Sequence, residues 1–236
     1  MKMSVLVSSF NRAKLLPRLI RSVMLDQGHD DMELIIINDA SNDDTDEVVK
    51  TYIDEGHNII YLKNDIKCER VMSYNRALKA STGDWLIHIG SDDQLFPRFT
   101  EFLIHHVEQH PDVKLFNFGR AAVNKYNWRA TTVPGQTFTM GQAFNSGLIS
   151  AGQFAWHKDI SHQIEFPVVR DCYKFADESK IPITGMFHED GKQQYYSRFT
   201  RTLGNPWGED FYMFWRLTRN NQPVHIPIIG ILINIR

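Results

Sequence analysis

The sequence predicts an α/β fold: a mostly parallel sheet flanked by helices, followed by an irregular region in the second half of the chain. Three observations predict it. Strand-length apolar runs alternate with helix-length amphipathic ones through residue 118. Leu34-Ile35-Ile36-Ile37 is continuously apolar, as a central parallel strand buried on both faces must be. Acidic residues follow two of the strands directly, where open α/β sheets bind their ligands.

The elements follow in order. Ser4–Val7 is the first strand, and Ala13–Asp26 a helix with Leu15, Leu16, Leu19, Ile20, Val23 and Met24 on one face. After Leu34–Ile37, the segment Ser41 to Asp46 is rich in capping residues, and a helix follows through Val48, Val49, Tyr52 and Ile53. Asn58–Leu62 is the third strand, Arg70–Ala80 a helix, Trp85–Ile89 the fourth strand, and Phe99–His110 a helix ended by Pro111. Val113–Phe118 closes the series. Such alternation implies right-handed crossovers between parallel strands. Residues 120 to 206 lose the periodicity and read as loops and lids. Order returns at WGEDFYMFWRLTRN, a helix with Phe211, Phe214, Trp215 and Leu217 inward, and in the apolar run 226–235, which reads as a buried strand. One domain over residues 1–236 is expected, in two halves, 1–118 and 119–236.

Composition narrows the class. Of 236 residues, 42% are hydrophobic and 23% charged, which describes an ordinary globular chain. The formal net charge of -2 supplies no overall field toward nucleic acid or anionic membrane. The N-terminal apolar stretch is too short for a signal peptide, and no run approaches the roughly 18–20 apolar residues of a spanning helix. Cys68 and Cys172 fit no metal or redox spacing, so two reduced thiols in a cytoplasmic protein are expected. The ten histidines show no zinc-ligand spacing.

Chemistry concentrates in Gly90-Ser91-Asp92-Asp93, at the carboxyl end of the fourth strand. Two adjacent carboxylates there repel each other and lose hydration unless a positive group, most often a divalent metal, balances them. The plain alternative is an Asp-Asp turn before Pro97.

The stretches SVLVSSFNRAKLLPRLIRSV, ELIIINDASNDDTDEVV, GDWLIHIGSDDQL and WGEDFYMFWRL, in this order, resemble the inverting family-2 glycosyltransferases of GT-A fold. The resemblance spans about residues 3 to 118 and returns at 207 to 236. It implies a sugar moved from a nucleotide-diphosphate donor, expected to be UDP-linked, with Mn²⁺ or Mg²⁺ as cofactor. The first half would then hold the nucleotide sugar and the second half the acceptor. Ser9, Phe10 and Asn11 would form a nucleotide-contacting loop, although Asn11 can equally cap the next helix. The family uses the matching Asp39 to accept a hydrogen bond from a base's imide N–H, which favours uracil over cytosine. Arg70 and Asn75 stand near the family's Arg-Asn pair, which this chain replaces with Ser73-Tyr74-Asn75 after a longer loop; Lys67 lies on the same loop. Gly90 replaces the first acid of the family's DXD motif, a departure that puts its ribose contact in doubt. Asp92 maps to the metal ligand, with Ser91 and Asp93 beside it. Asp210 maps to the base that deprotonates the acceptor, with Glu209 as the alternative and Glu189-Asp190 as a weaker competitor. Trp207 would wall the site, and His225 would be a late cation ligand at best.

The acceptor expected by family frequency is a glycan or cell-surface polysaccharide intermediate, reached by peripheral contact if it is lipid-linked. A nucleic-acid base is the alternative, served by scattered cations such as Arg120, Lys125, Arg129, Arg198 and Arg216. Two other classes stay open. A nucleotidyltransferase would carry a glycine-rich loop that SSFNRAK lacks. A non-catalytic relative fits Gly90 but not an intact Glu209-Asp210.

Overall fold

The structure is a computed structural model that describes residues 1–123, 128–131, 151–164, 217–218 and 220–234; at 69–71, 122–123, 128–131, 151 and 233–234 it describes the backbone alone. The first half follows the expected alternation: β1 (Met3–Ser9), α1 (Leu16–Met24), β2 (Met32–Asn38), α2 (Thr45–Asp54), β3 (Ile59–Lys63), α3 (Glu69–Ala80) and β4 (Trp85–His88). A short β5 (Gln94–Leu95), α4 (Phe99–Gln109) and a long β6 (Leu115–Val123) come next. β7 (Trp128–Thr131), β8 (Phe154–His157) and β9 (Val224–Asn234) complete the strands, with 3-10 turns at Ala151–Gln153 and Lys158–Gln163 flanking β8.

The sheet runs β3-β2-β1-β4-β8-β6-β9-β5, with β7 paired to β6. β1, β2, β3 and β4 are mutually parallel, as expected. Beyond β4 the sheet is mixed. β8 runs antiparallel to both β4 and β6, and β5 runs antiparallel to β9. β6 and β9 are parallel, with register shifts on either side of Gly119. β8 lies inside the stretch expected to be irregular, because four residues are too few to show a period against their aromatic surroundings.

Both faces are covered. Val5, Val7, Leu34, Ile36 and Ile87 meet α1 and α4 through Leu16, Leu19, Val23, Phe99 and Leu103. Leu6, Ile35, Ile37 and Leu86 point the other way and meet Tyr74 and Ala77 of α3, with Trp156 and Leu217. This strict alternation fixes the register, since a one-residue slip would exchange the two faces. All seven residues of β2 are buried, which is why the sequence shows there an unbroken apolar run. Among the described residues, no helix is long and apolar enough to cross a membrane.

The chain passes from β1 outward to β2 and β3, then returns to place β4 on the other side of β1. The carboxyl ends of β1 and β4 therefore diverge and open a crevice at this topological switch point.

Candidate functional site

A cavity of about 240 Å³ occupies that crevice. Its walls come from Ser8, Phe10 and Arg12 after β1, Asp39 after β2, Lys67 before α3, and the run His88-Ile89-Gly90-Ser91-Asp92 after β4. Phe10, Asp39, Ser91 and Asp92, all expected from the sequence, thus converge on one space.

Two loops are laced together to shape it. Asn11 has a positive φ of 53°, which Asn tolerates better than most residues. Its N–H donates to Ser41 Oγ at 2.9 Å, and its Oδ1 accepts from Asn42 N–H at 3.0 Å. Asp43 Oδ2 accepts from Ala13 N–H at 2.9 Å while Oδ1 accepts from Thr45 Oγ1 at 2.6 Å. Burial alone would raise the Asp43 pKa, but the hydrogen bonds from Thr45 and Ala13 hold it below its ordinary value. Asn11 therefore builds the loop rather than lining the cavity, and Ser9 is fully buried behind it.

Asp39 is the most constrained acid in the cavity, 2% exposed. Its Oδ1 accepts from Asn64 Nδ2 at 2.7 Å, from the Cys68 N–H at 2.7 Å and from Ser73 Oγ at 3.1 Å. Among the described residues Oδ2 receives no donor, so it is the oxygen a ligand can claim. Asn64, Ser73 and the backbone of Cys68 were not singled out in the sequence. The available signal was that Asn64 follows β3 as Asp39 follows β2. Cys68 is disulfide-bonded, not the reduced thiol expected, and its partner sulfur lies outside the described residues.

Cationic residues line the same cavity as the two acids. The Lys67 ammonium sits 4.5 Å from the centroid of the Phe10 ring, itself 39% exposed at the cavity rim. Arg12 adds a guanidinium to the same wall. Tyr74, at the position where the resemblance looks for arginine, is buried and packs edge-on to His88 with centroids 4.6 Å apart. Asn75 is 3% exposed and does not line the cavity. Arg70 lies in the first turn of α3, and its side chain is outside the described residues, as are Glu189, Asp190, Trp207, Glu209 and Asp210.

Around Gly90 the chain is tight. A Cβ there would meet Asp93 Oδ2 at 2.7 Å and Asp92 Oδ1 at 3.2 Å. The Asp92 and Asp93 carboxylates thus fill the space beside Gly90. Asp92 turns toward the cavity, whereas Asp93 does not line it. Among the described residues no three His, Cys, Asp or Glu side chains gather as a complete metal cage. A magnesium or manganese ion held by one or two carboxylates, waters and a diphosphate needs no such cage, and Asp92, the acid of the pair that lines the cavity, fits that donor set. His225 stands on β9 in register with Asn117 of β6, away from the cavity wall. Burial lowers its pKa, which favours the neutral ring.

A mixed α/β sheet flanked by helices, with a crevice at its switch point, defines a domain of the GT-A class. The chain belongs to glycosyl transferase family 2, whose model matches residues 4–166. It is 28% identical over 138 residues to an uncharacterised glycosyltransferase of Mycoplasma genitalium, covering 56% of this chain and 46% of that protein. It is 34% identical over 95 residues to the GalNAc(5)-diNAcBac-PP-undecaprenol beta-1,3-glucosyltransferase of Campylobacter jejuni, covering 40% of this chain and 30% of that protein. The chain thus spans less than half the length of these relatives. Its fold is similar to that of S. aureus TarS 1-349 in complex with UDP, with TM-score 0.68 and 17% identity over 100% of this chain and 61% of that one.

Proposed function

We propose that the chain transfers a sugar from a UDP-linked donor to an acceptor hydroxyl, with inversion at the anomeric carbon and with a divalent metal. The observation that carries this reading is the Asp39 carboxylate, which lines a cavity that also holds Asp92: one oxygen is saturated, and the other receives no donor among the described residues. An acceptor-only oxygen at that place suits a base that offers an imide N–H. A ring nitrogen with a lone pair, as in cytosine, would meet it repulsively. Phe10 offers an aromatic face to the base, and Lys67 and Arg12 offer countercharge to the diphosphate.

In the proposed step the acceptor oxygen attacks the anomeric carbon as the bond to the diphosphate oxygen breaks. The acceptor proton passes to Asp210, with Glu209 the alternative base, and UDP leaves with the bonding electrons. Asp92, with Asp93 beside it, would hold Mn²⁺ or Mg²⁺, which when bound supplies charge stabilisation to the leaving diphosphate. Much of the rate would come from positioning and fixed charge in the crevice. A glycan is the acceptor favoured here, in keeping with the Campylobacter relative, whose name gives a lipid-linked glycan as its substrate.

The test is a screen of nucleotide sugars for hydrolysis, run beside thermal protection by UDP with and without Mn²⁺. Turnover of a UDP-sugar, and protection by UDP that needs Mn²⁺, are expected. No turnover, with no shift for any nucleotide and metal, would overturn the reading.

A further inference from the structure

We infer that Asn64 and Arg76 form a positioning clamp that makes Asp39 selective for the nucleobase. The inference rests on the base-reading role proposed above for Asp39. Asn64 follows β3, is 7% exposed, and its N–H donates to Asn38 O at 2.8 Å, extending the β2–β3 pairing by one residue. Its side chain is used at both ends. Nδ2 donates to Asp39 Oδ1 at 2.7 Å and to Ser73 Oγ at 2.9 Å. Oδ1 accepts from Arg76 Nη1 at 2.6 Å, and the same Nη1 donates to Lys63 O at 2.7 Å.

Chemistry fixes which way the amide points. A guanidinium can only donate, so it must face the amide oxygen; an ionised carboxylate can only accept, so it must face the amide nitrogen. Arg76 therefore removes the flipped rotamer, which would set Asn64 Oδ1 against Asp39 Oδ1. A charged donor on the amide oxygen also polarises the group and strengthens its N–H donors. Ser73 and Arg76 are three residues apart on α3, so one helix face delivers both contacts. Ser73 Oγ closes a triangle by donating to Asp39 Oδ1 at 3.1 Å.

The consequence reaches the ligand. With Oδ1 held by three donors, the carboxylate cannot rotate to present a different edge, and Oδ2 remains the oxygen open to a ligand. A freely rotating carboxylate, or one that takes up a water, would still bind a nucleotide but would discriminate less between uracil and cytosine. Arg76 is exposed and does not line the cavity, so its effect on a base must pass through Asn64.

The experiment is the dissociation constant of UDP and of CDP, by calorimetry, for the wild-type chain and for Asp39→Asn, Asn64→Ala, Arg76→Ala and Arg76→Lys. Melting temperatures are read alongside. The wild type should prefer UDP by tenfold or more, roughly the value of one hydrogen bond to a charged group. Asp39→Asn should abolish the preference. Asn64→Ala and Arg76→Ala should reduce the UDP:CDP ratio severalfold. Arg76→Lys should restore part of it, because an ammonium can also donate to both carbonyl oxygens. A role confined to folding would lower the melting temperature and weaken both nucleotides equally. The clamp is overturned if the Asn64 and Arg76 variants keep the wild-type ratio while Asp39→Asn loses it. A wild type that binds UDP and CDP alike would instead sink the base-reading role of Asp39, and the clamp with it.

Discussion

At the residue scale, the acids of this chain divide by what surrounds them. Glu33 lies on β2 at the end of the sheet remote from the cavity, 1% exposed, and binds the Lys2 ammonium at 2.7 Å. Ser4 Oγ, Thr82 N–H and Thr82 Oγ1 also donate to it, at 2.6, 2.6 and 2.7 Å. Burial pushes its pKa up, but Lys2, Ser4 and Thr82 together outweigh this and bring it from 4.5 down to about 2. Because the folded value is depressed, the stabilisation is complete above the unfolded pKa and is lost as pH falls through the folded one. Its full size is about 3 kcal/mol, less whatever solvent screening the partly exposed Lys2 admits. Acid titration of unfolding should show stability falling between about pH 5 and pH 2. Glu33→Gln should flatten that slope and cost about 2 kcal/mol at pH 7 in urea melts. Asp92 poses the opposite case, since it turns toward the cavity and away from the core. Asp92→Asn should lower transfer at least a hundredfold, on the scale of losing one charge-stabilising group. Its melting temperature should stay near that of the wild type. A variant that melts much lower, or that still transfers sugar, would contradict the role proposed for Asp92.

At the scale of elements, β9 shows how a residue that breaks a pattern can serve the strand that carries it. Gly230 interrupts the apolar run in sequence, yet β9 continues through it. A Cβ at Gly230 would stand 2.2 Å from Phe118 Cδ2 and 2.8 Å from Phe99 Cε2. Those two rings pack at 4.4 Å between centroids directly over the glycine. Rigid rings cannot yield as a methionine would, so Gly230→Ala should destabilise by about 1–3 kcal/mol in denaturant melts. A neutral result would mean that the Phe118–Phe99 pair can slide. The same strand marks the limit of what the sequence made legible. β1 to β4 and their helices could be read because they are local: each apolar run meets the next through a short crossover. Asp39 and Asp92 were legible for the same reason, since a polar residue directly after a buried strand is conspicuous. The antiparallel β8 was not, being a four-residue strand whose partners are 37 to 72 positions away. Nor were Asn64 and Ser73, whose importance appears only when two separate segments meet at one carboxylate oxygen.

At the scale of the whole molecule, the order of strands in the sheet departs from the order of strands in the chain where it matters for folding. β3, β2, β1 and β4 assemble from contiguous sequence, whereas the other half waits on segments that come late. β9 is seated between β6 and β5, so neither is completed until residues 224–234 arrive. Ile226 and Ile231 are fully buried there, against Phe116, Phe118 and Phe99. Removing those residues would cost two buried isoleucines at about 1.5–3 kcal/mol each and would uncover the aromatic layer beneath them. The two isoleucines alone account for about 3–6 kcal/mol, a large share of the roughly 5–15 kcal/mol that holds an ordinary domain folded. Yet the cavity uses only β1, β4 and the loops after β1, β2, β3 and β4, and none of these four strands pairs with β9 in the sheet. A chain lacking residues 224–234 should therefore lose cooperative unfolding and bind a hydrophobic dye, as a compact state without fixed packing does. UDP should no longer raise its melting midpoint, because the β1–β4 crevice relies on β8, and β8 relies on β6. If that shortened chain still unfolds in one sharp transition that UDP shifts upward, then the parallel half folds and binds by itself. The sheet would then be two units joined at β4 and β8 rather than one cooperative body.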